Sequence, residues 1–391
     1  MIGGSTAEAE LASLSPWARP APAIARAERD GRLARAREGL GRMGADALLV
    51  NAGPSLRYLT GVGWGATERL VALLLPASGQ PILICPAFEL GSLQAELAID
   101  SDIRLWEEDE SPTELVADAL APGATLALDP LLNFGAARRL GERLRIVDGA
   151  AIIDGLRMRK SPAELALMQQ AKDMTLEVHR RAARILAPGI RASEVKRFID
   201  AAHRALGASG SFFCAVQFGY ATAFPHGLPG DQQLEEKQLV LIDTGCTIEG
   251  YHSDITRTYA FGAVSDEVRD LWALEKAAQA AAFEAAKPGE TCESVDHAAR
   301  AVLEKAGLGP DYRLPGLPHR TGHGIGLAIH EPAYLVRGDR TLLAEGMCFS
   351  NEPMIVVPNR FGIRLEDHFH VTATGAKWFT EPQVSLERPF S

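Results

Sequence analysis

Apolar and polar positions alternate along this chain with two different periods, and the change of period marks out the elements. Leu33 to Met43 carries apolar residues at helical spacing, while Ala47 to Asn51 is a short apolar run suited to a buried strand. Arg69 to Leu75, Pro81 to Cys85 and Thr125 to Leu128 read as further strands, with helices over Pro112 to Leu120 and Phe134 to Leu144. This alternation predicts a small α/β domain, placed over residues 1–155. The first thirty residues, rich in Ala, Pro and Arg, hold no clear period and are expected to be partly loose.

The domain boundary falls close to Arg157-Met158-Arg159-Lys160, and a second domain occupies residues 156–391. Ser161-Pro162-Ala163-Glu164 opens its first helix: Ser caps, Pro takes the first helical position, and Glu reaches back. The apolar spacing continues to Leu186. From there the chain repeats itself. One helix ends at Pro188-Gly189 with Val195 six residues past the glycine; a later one ends at Pro288-Gly289 with Val295 at the same distance. Each helix pair is followed by a strand-turn-strand segment, Gln238 to Phe261 and Met347 to Thr372. The pattern is an α+β domain with an internally duplicated helix-helix-hairpin unit. Its two hairpins are expected to meet in one antiparallel sheet, with the helices on the outer face.

Composition narrows the setting. With 391 residues, 47% hydrophobic and 23% charged, the chain has the size and make-up of a two-domain globular protein. A net charge of −10 turns the expectation away from nucleic acid and anionic membrane as main partners. Five scattered cysteines, an odd number, do not form a disulfide framework and read as reduced apolar fillers. Met1 to Glu10 lacks a basic-then-apolar signal pattern, and no apolar run reaches the length of a membrane span. The expected compartment is the cytoplasm.

The chemistry lies in the hairpins. Leu239 to Ile242 is an apolar run leading into Asp243, and Gly250 to Thr256 carries Asp254 on the return strand. A turn centred between Ile248 and Glu249 would set the two acids opposite each other, with Cβ atoms roughly 4.5–5.5 Å apart. In the second hairpin a turn centred on Asn359 sets Glu352 opposite Glu366, with Arg364 on the same face. An isolated acid is most often a solvated strand end. Acidic pairs at the same place in both halves of a duplication call for cations, because buried carboxylates are paired or bind metal. His323, in His319-Arg320-Thr321-Gly322-His323-Gly324-Ile325-Gly326, adds an imidazole among glycines that let backbone come close. Four acids and one imidazole balance two divalent ions. Such ligation suits Mn²⁺, Co²⁺, Fe²⁺ or Zn²⁺, and two ions can activate water between them. His330-Glu331 lacks the second histidine of HExxH, and Gly61-Val62-Gly63-Trp64-Gly65 is not a nucleotide loop.

Asp243-Thr244-Gly245, Asp254-Ile255-Thr256-Arg257-Thr258, His323-Gly324-Ile325-Gly326, Glu352-Pro353 and Arg364-Leu365-Glu366-Asp367 resemble the metallopeptidases of the pita-bread fold. That family includes methionine aminopeptidase, aminopeptidase P, prolidase and the metal-free creatinase. The motifs span roughly residues 160–380, and the two-domain layout resembles the creatinase, aminopeptidase P and prolidase branch. The resemblance implies a creatinase-type N-terminal domain and a catalytic domain holding two divalent ions, of Mn, Co or Zn with Mn favoured. Asp243, Asp254, His323, Glu352 and Glu366 would be the ligands. It implies that Glu352 also shuttles the proton, and that His226 and His330 hold the scissile carbonyl or the product carboxylate and stabilise the tetrahedral oxyanion. Arg364 would anchor a substrate carboxylate or steady the ligands, with Thr256 a weaker supporting residue. His226 has the alternative of a plain turn residue beside Pro225. His252, His368 and His370 are assigned no role and read as surface or packing residues. The run around His323 most resembles the Xaa-Pro dipeptidases, which implies a small peptide substrate with proline and a homodimer. Aminopeptidase P activity, or hydrolysis or lysis of a small non-peptide metabolite, stays open. A binding-only module is disfavoured, since no ligand position is lost.

Overall fold

The computed structural model describes residues 2–390, in two compact units. Ala23–Arg157 forms one; residues 158–390, together with residues 2–22, form the other. The N-terminal domain expected from residue 1 therefore begins some twenty residues later. The stretch expected to be loose is instead anchored: it contains α1 (Ala7–Ala12), Gly3 N donates to Ala183 O at 2.9 Å, and Trp17 N donates to Leu206 O at 2.9 Å. Leu11, Leu14 and Trp17 pack on the apolar cluster of the second unit.

In the first unit the chain runs α2 (Arg26–Met43), β1 (Ala47–Asn51), α3 (Pro54–Thr60), β2 (Ala72–Pro76), β3 (Ile82–Pro86) and α4 (Leu90–Glu96). It continues through β4 (Asp102–Trp106), α5 (Pro112–Asp118), β5 (Thr125–Leu128), α6 (Phe134–Leu140), β6 (Arg145–Asp148) and α7 (Ala150–Arg157). Its sheet has the order β4-β3-β2-β1-β5-β6, antiparallel at β1/β2 and β2/β3 and parallel elsewhere. β1 is buried along its whole length, which is why it reads as a continuous apolar run. β4 and β6 sit at the edges, half exposed, and their mixed pattern hides them from a sequence reading.

The second unit runs α8 (Pro162–Arg184), α9 (Ala192–Leu206), β7 (Ser211–Phe218), β8 (Gln238–Ile248), β9 (Tyr251–His252) and β10 (Ile255–Phe261). The second half follows with α10 (Asp266–Ala285), α11 (Cys292–Lys305), β11 (Gly322–Gly324), β12 (Glu331–Leu335), β13 (Cys348–Asn351) and β14 (Met354–Val357). β15 (Phe361–Arg364), β16 (Asp367–Val371) and β17 (Ala376–Trp378) close it. α8 opens with the capping box that Ser161 and Glu164 predict.

The duplication holds at the level of single hydrogen bonds. Gly189 N donates to Leu234 O and Ala192 N to Gln232 O; in the other half Gly289 N donates to Leu343 O and Cys292 N to Thr341 O. Val178, Val195 and Ile199 bury against Val216, Val240 and Ile242 in one half. Ala278, Ala282 and Val295 bury against Phe349, Ile363 and Phe369 in the other. The strands do not form one continuous sheet. They form β10-β8-β7 and β12-β11-β13-β16-β17, plus the ribbon β14-β15, and the hairpins join through one bridge between Thr256 and Glu366. The ladder breaks where acids sit: Asp254 and Glu352 both lie just outside regular strands.

Candidate active site

Register decides which side chains meet. In the second hairpin Met354 pairs with Arg364 and Asn351 with Asp367, the register that places Glu352 across from Glu366. The first hairpin departs from expectation. Asp243 pairs with Thr256, not with Asp254, because the turn is Glu249-Gly250, two residues at φ 50° and 81°. Successive left-handed residues make the two-residue turn that matches strand twist, and Gly250 adopts it without strain. Asp254 sits two places from the expected partner, still on the face of Thr256.

β11 brings His323 to these acids. A Cβ on Gly322 would lie 2.1 Å from Ser350 O, so glycine alone lets this strand press against β13. His323 N then donates to Ser350 Oγ at 2.9 Å. His323 Nδ1 lies 2.9 Å from Gly324 O, which can only accept, so Nδ1 donates there and Nε2 is turned toward the acids. Nε2 is 3.2 Å from Glu352 Oε1 and 4.0 Å from Asp254 Oδ2.

Four carboxylates thus share a buried space with little to balance them. Arg364 pairs with Asp243, and its Nε donates to Thr256 Oγ1 at 3.0 Å. Thr256 Oγ1 in turn donates to Glu366 Oε2 at 2.7 Å. Asp243 Oδ1, Asp254 Oδ1 and Glu366 Oε1 are buried without a hydrogen-bond partner. Burial, followed by the neighbouring carboxylates, holds the Asp254 and Glu366 carboxyls well above their ordinary range. Burial also raises Asp243, against the pull of Arg364. Glu352 goes the other way, down to about 2: burial raises it, but the His323 hydrogen bond and charge outweigh that. Orphaned oxygens on crowded acids are what divalent cations satisfy. Ligand atoms of His323, Glu352 and Glu366 lie within 4.8 Å of one another, as do those of Asp254, Glu366 and His368. Glu366 belongs to both groups, and Asp243, paired with Arg364, to neither.

A cavity of about 420 Å³ opens on this cluster, lined by His226, His319, Arg320, His330, Glu352 and Arg364 between Pro225 and Pro318. The His330 ring lies edge-on to His323 with centroids 4.3 Å apart. Burial, reinforced by His323 and Arg320, pushes His330 down to about 4, so its ring is neutral at pH 7. His226 reaches the cavity wall.

Sequence reasoning missed three of these residues. His319 and Arg320 lie in a loop whose place at the cavity depends on tertiary structure. His368 is neither surface nor simple packing: it is fully buried, its Nε2 is 3.9 Å from Glu366 Oε1, and neither ring nitrogen has a partner among the described residues. Its position two residues from Glu366 on one strand face was the available signal. His252 is buried against Phe212, and His370 packs on Phe379, away from this cluster's ligand groups.

Comparison with known proteins agrees with this geometry. Residues 166–373 match the model of metallopeptidase family M24, and residues 32–159 match the creatinase/prolidase N-terminal domain. The chain belongs to metallopeptidase family M24. It is 39% identical over 354 residues to a probable dipeptidase PepE of Mycobacterium tuberculosis, covering 88% of this chain and 92% of that one. It is 34% identical over 349 residues to a Xaa-Pro dipeptidase of Lactobacillus helveticus, covering 85% and 92%. The crystal structure of dipeptidase PepE from Mycobacterium ulcerans superposes with a TM-score of 0.86 at 36% identity, covering 94% and 99%. This M24 enzyme is accordingly a peptide hydrolase with a creatinase-type N-terminal domain and a pita-bread catalytic domain. Divalent metal ions are the cofactors the family implies.

Proposed function

We propose that this enzyme is a dinuclear metal-dependent Xaa-Pro dipeptidase, with Asp243, Asp254, His323, Glu352 and Glu366 holding the ions. The observation that carries the reading is the set of orphaned, buried carboxylate oxygens beside a cavity that reaches Glu352. A Xaa-Pro dipeptidase among the relatives supports the substrate class.

When bound, the ions supply Lewis acidity, lowering the pKa of a water and polarising the scissile carbonyl. The protein's own groups do the rest. The Glu352 carboxylate, ionised at neutral pH, accepts the proton released by the attacking water. It then delivers that proton to the leaving nitrogen as the C–N bond breaks. His226 and His330 line the cavity where the carbonyl oxygen gathers negative charge, and the neutral imidazole of His330 donates one N–H to it. Arg364, which pairs with Asp243, donates to Thr256 and lines the cavity, holds ligands in place or anchors a substrate carboxylate.

Manganese is the metal favoured among Mn, Co and Zn, and the resemblance supports a homodimer. The five cysteines are free, four of them buried, which fits a reducing cytoplasm. No helix among the described residues is long and apolar enough to cross a membrane. The test is hydrolysis of Ala-Pro beside Ala-Pro-Ala by manganese-loaded enzyme, with Glu352→Ala as control. Cleavage of the dipeptide alone, lost in the variant, is the expected result. Cleavage of the tripeptide would make it an aminopeptidase P. Cleavage of neither by enzyme that holds its metal would overturn the proline reading in favour of a non-peptide substrate.

A further inference from the structure

The strands around Glu352 and Glu366 lose their ladder where these acids sit. Asn351 pairs with Asp367 and Met354 with Arg364, which leaves residues 352–353 and 365–366 outside both ladders. Buried main-chain groups released from a ladder need other partners. One side chain supplies them from behind. Gln279, on α10, is buried, and its Nε2 lies 3.2 Å from Leu365 O, 3.4 Å from Asn351 O and 3.2 Å from Asp367 Oδ2. In return Asn351 Nδ2 donates to Gln279 O at 2.8 Å. Carbonyl oxygens only accept, so the amide presents its NH₂ group to them. Asn351 O and Glu352 N belong to one peptide plane, and Leu365 O and Glu366 N to another. Glu352 N donates to Thr321 O at 2.8 Å, and Glu366 N donates to Thr256 O at 3.1 Å. The plane just ahead of each acid is therefore held at both ends, with Gln279 at the carbonyl end of both. A plane held in this way fixes the direction in which the next Cα sends its side chain.

We propose that Gln279 is a positioning residue: it orients Glu352 and Glu366 from behind and so sets how tightly the site takes its ions. This rests on the metal-site reading above and adds a residue that touches neither substrate nor ion. The duplication supplies a second argument. Gln279 stands ten residues before Gly289, and His179 stands ten residues before Gly189. His179 is fully buried on α8, and its Nε2 lies 2.9 Å from Ile255 O, the carbonyl of the residue after Asp254. Both halves thus aim a buried side-chain N–H, from the same point of the same helix, at main chain beside an acid of the cluster. Energetics point the same way. Ala278 and Ala282, beside Gln279 on α10, belong to the apolar core, where an amide is costly unless it is bonded. Charge explains the need, because buried like charges repel strongly and tend to turn away from one another. An amide holds the two acids without adding a charge of its own. A glutamate of the same shape would turn oxygen toward Leu365 O, Asn351 O and Asp367 Oδ2.

The test compares wild type with Gln279→Met, Gln279→Glu and Gln279→His. Calorimetric titration of the metal-free forms with manganese chloride reads affinity, and their melting temperatures read the frame. Hydrogen exchange followed by mass spectrometry reads residues 350–354 and 364–368. Loss of a residue that orients ligands typically weakens metal binding about 10- to 100-fold. Gln279→Met, of equal length but without donors, should show a loss of that size, and Gln279→Glu a larger one. Gln279→His, which borrows the donor of the first half, should fall between Gln279→Met and wild type. Exchange in both segments should quicken in the order His, Met, Glu, with no metal present. Folded Met and Glu variants that bind manganese within about twofold of wild type would overturn the proposal. So would a lower melting temperature with affinity intact, since that marks a purely structural role. Should the Met and Glu variants not fold, Gln279→Asn decides, because it keeps the amide but withdraws it by one methylene. Weaker manganese binding at a near-wild-type melting temperature supports the proposal, and equal binding overturns it. Wild type that takes up no manganese would sink the metal reading itself. The exchange comparison then still rules on Gln279, and unchanged exchange in the variants would overturn its role.

Discussion

Replacing Thr256 by Val keeps the side chain's shape and removes one hydroxyl that two site residues share. Thr256 is fully buried; its Oγ1 accepts from Arg364 Nε at 3.0 Å and donates to Glu366 Oε2 at 2.7 Å. A hydrogen bond to a charged group contributes about 1.5–3 kcal/mol. Loss of a partner that orients a ligand typically costs about 10–100-fold in metal affinity, or about 1.4–2.8 kcal/mol at about 1.4 kcal/mol per decade. The two routes agree. The backbone should survive, because Thr256 pairs with Asp243 along β10 and bridges Glu366 through main-chain groups. Thr256→Val should therefore fold, bind manganese 10- to 100-fold more weakly, and recover much of its activity at high metal. Thr256→Ser, which keeps the hydroxyl, should stay near wild type. Calorimetric titration of the metal-free forms measures this directly. A folded Val variant that binds manganese within about twofold of wild type would refute the claim that this hydroxyl positions Glu366.

Two further outcomes concern the frame. Arg257 and Asp367 form a buried ion pair at 2.6 Å, and Arg257 Nη1 also donates to Glu366 O at 2.8 Å. Asp367→Ala leaves that guanidinium buried and unpaired, and denaturant melts should show a loss of about 3–5 kcal/mol. His203, bonded to Thr175 and Ser211, is held neutral by burial with its pKa lowered to about 4. Its folded pKa lies below the unfolded value near 6.5, so the stability it supports is present above pH 6.5 and is lost as pH falls toward 4. Acidification from pH 6.5 to 4.5 should cost about 2–3 kcal/mol through this group, and His203→Gln should flatten that part of the stability profile.

The sequence disclosed the chemistry better than its exact geometry. The acids could be read because apolar runs such as Leu239 to Ile242 lead into them, and burial gives a carboxylate few choices. The register around Asn359 was legible because its left-handed turn residue is flanked by pairable strands. The first hairpin slipped by two because Glu249-Gly250 was not recognised as the tight turn, a local signal that was present. Other features had no local signal. Residues 2–22 look loose by composition, yet they are held by distant partners, including the Arg181–Glu10 ion pair at 3.1 Å. Arg320 and His319 become cavity residues only once α11 fixes their loop, through bonds from Arg300 and Asp296. β7, with its half-exposed Ser211 to Ala215 stretch, shows neither clean alternation nor a full apolar run.

The central claim is that Asp243, Asp254, His323, Glu352 and Glu366 would hold a pair of ions. Metal content after manganese loading and desalting, measured by mass spectrometry on wild type and Glu366→Ala, tests it most directly. The account predicts two ions per wild-type chain and no more than one in the variant. Wild type that retains no ion, or a folded Glu366→Ala that retains two, would contradict it.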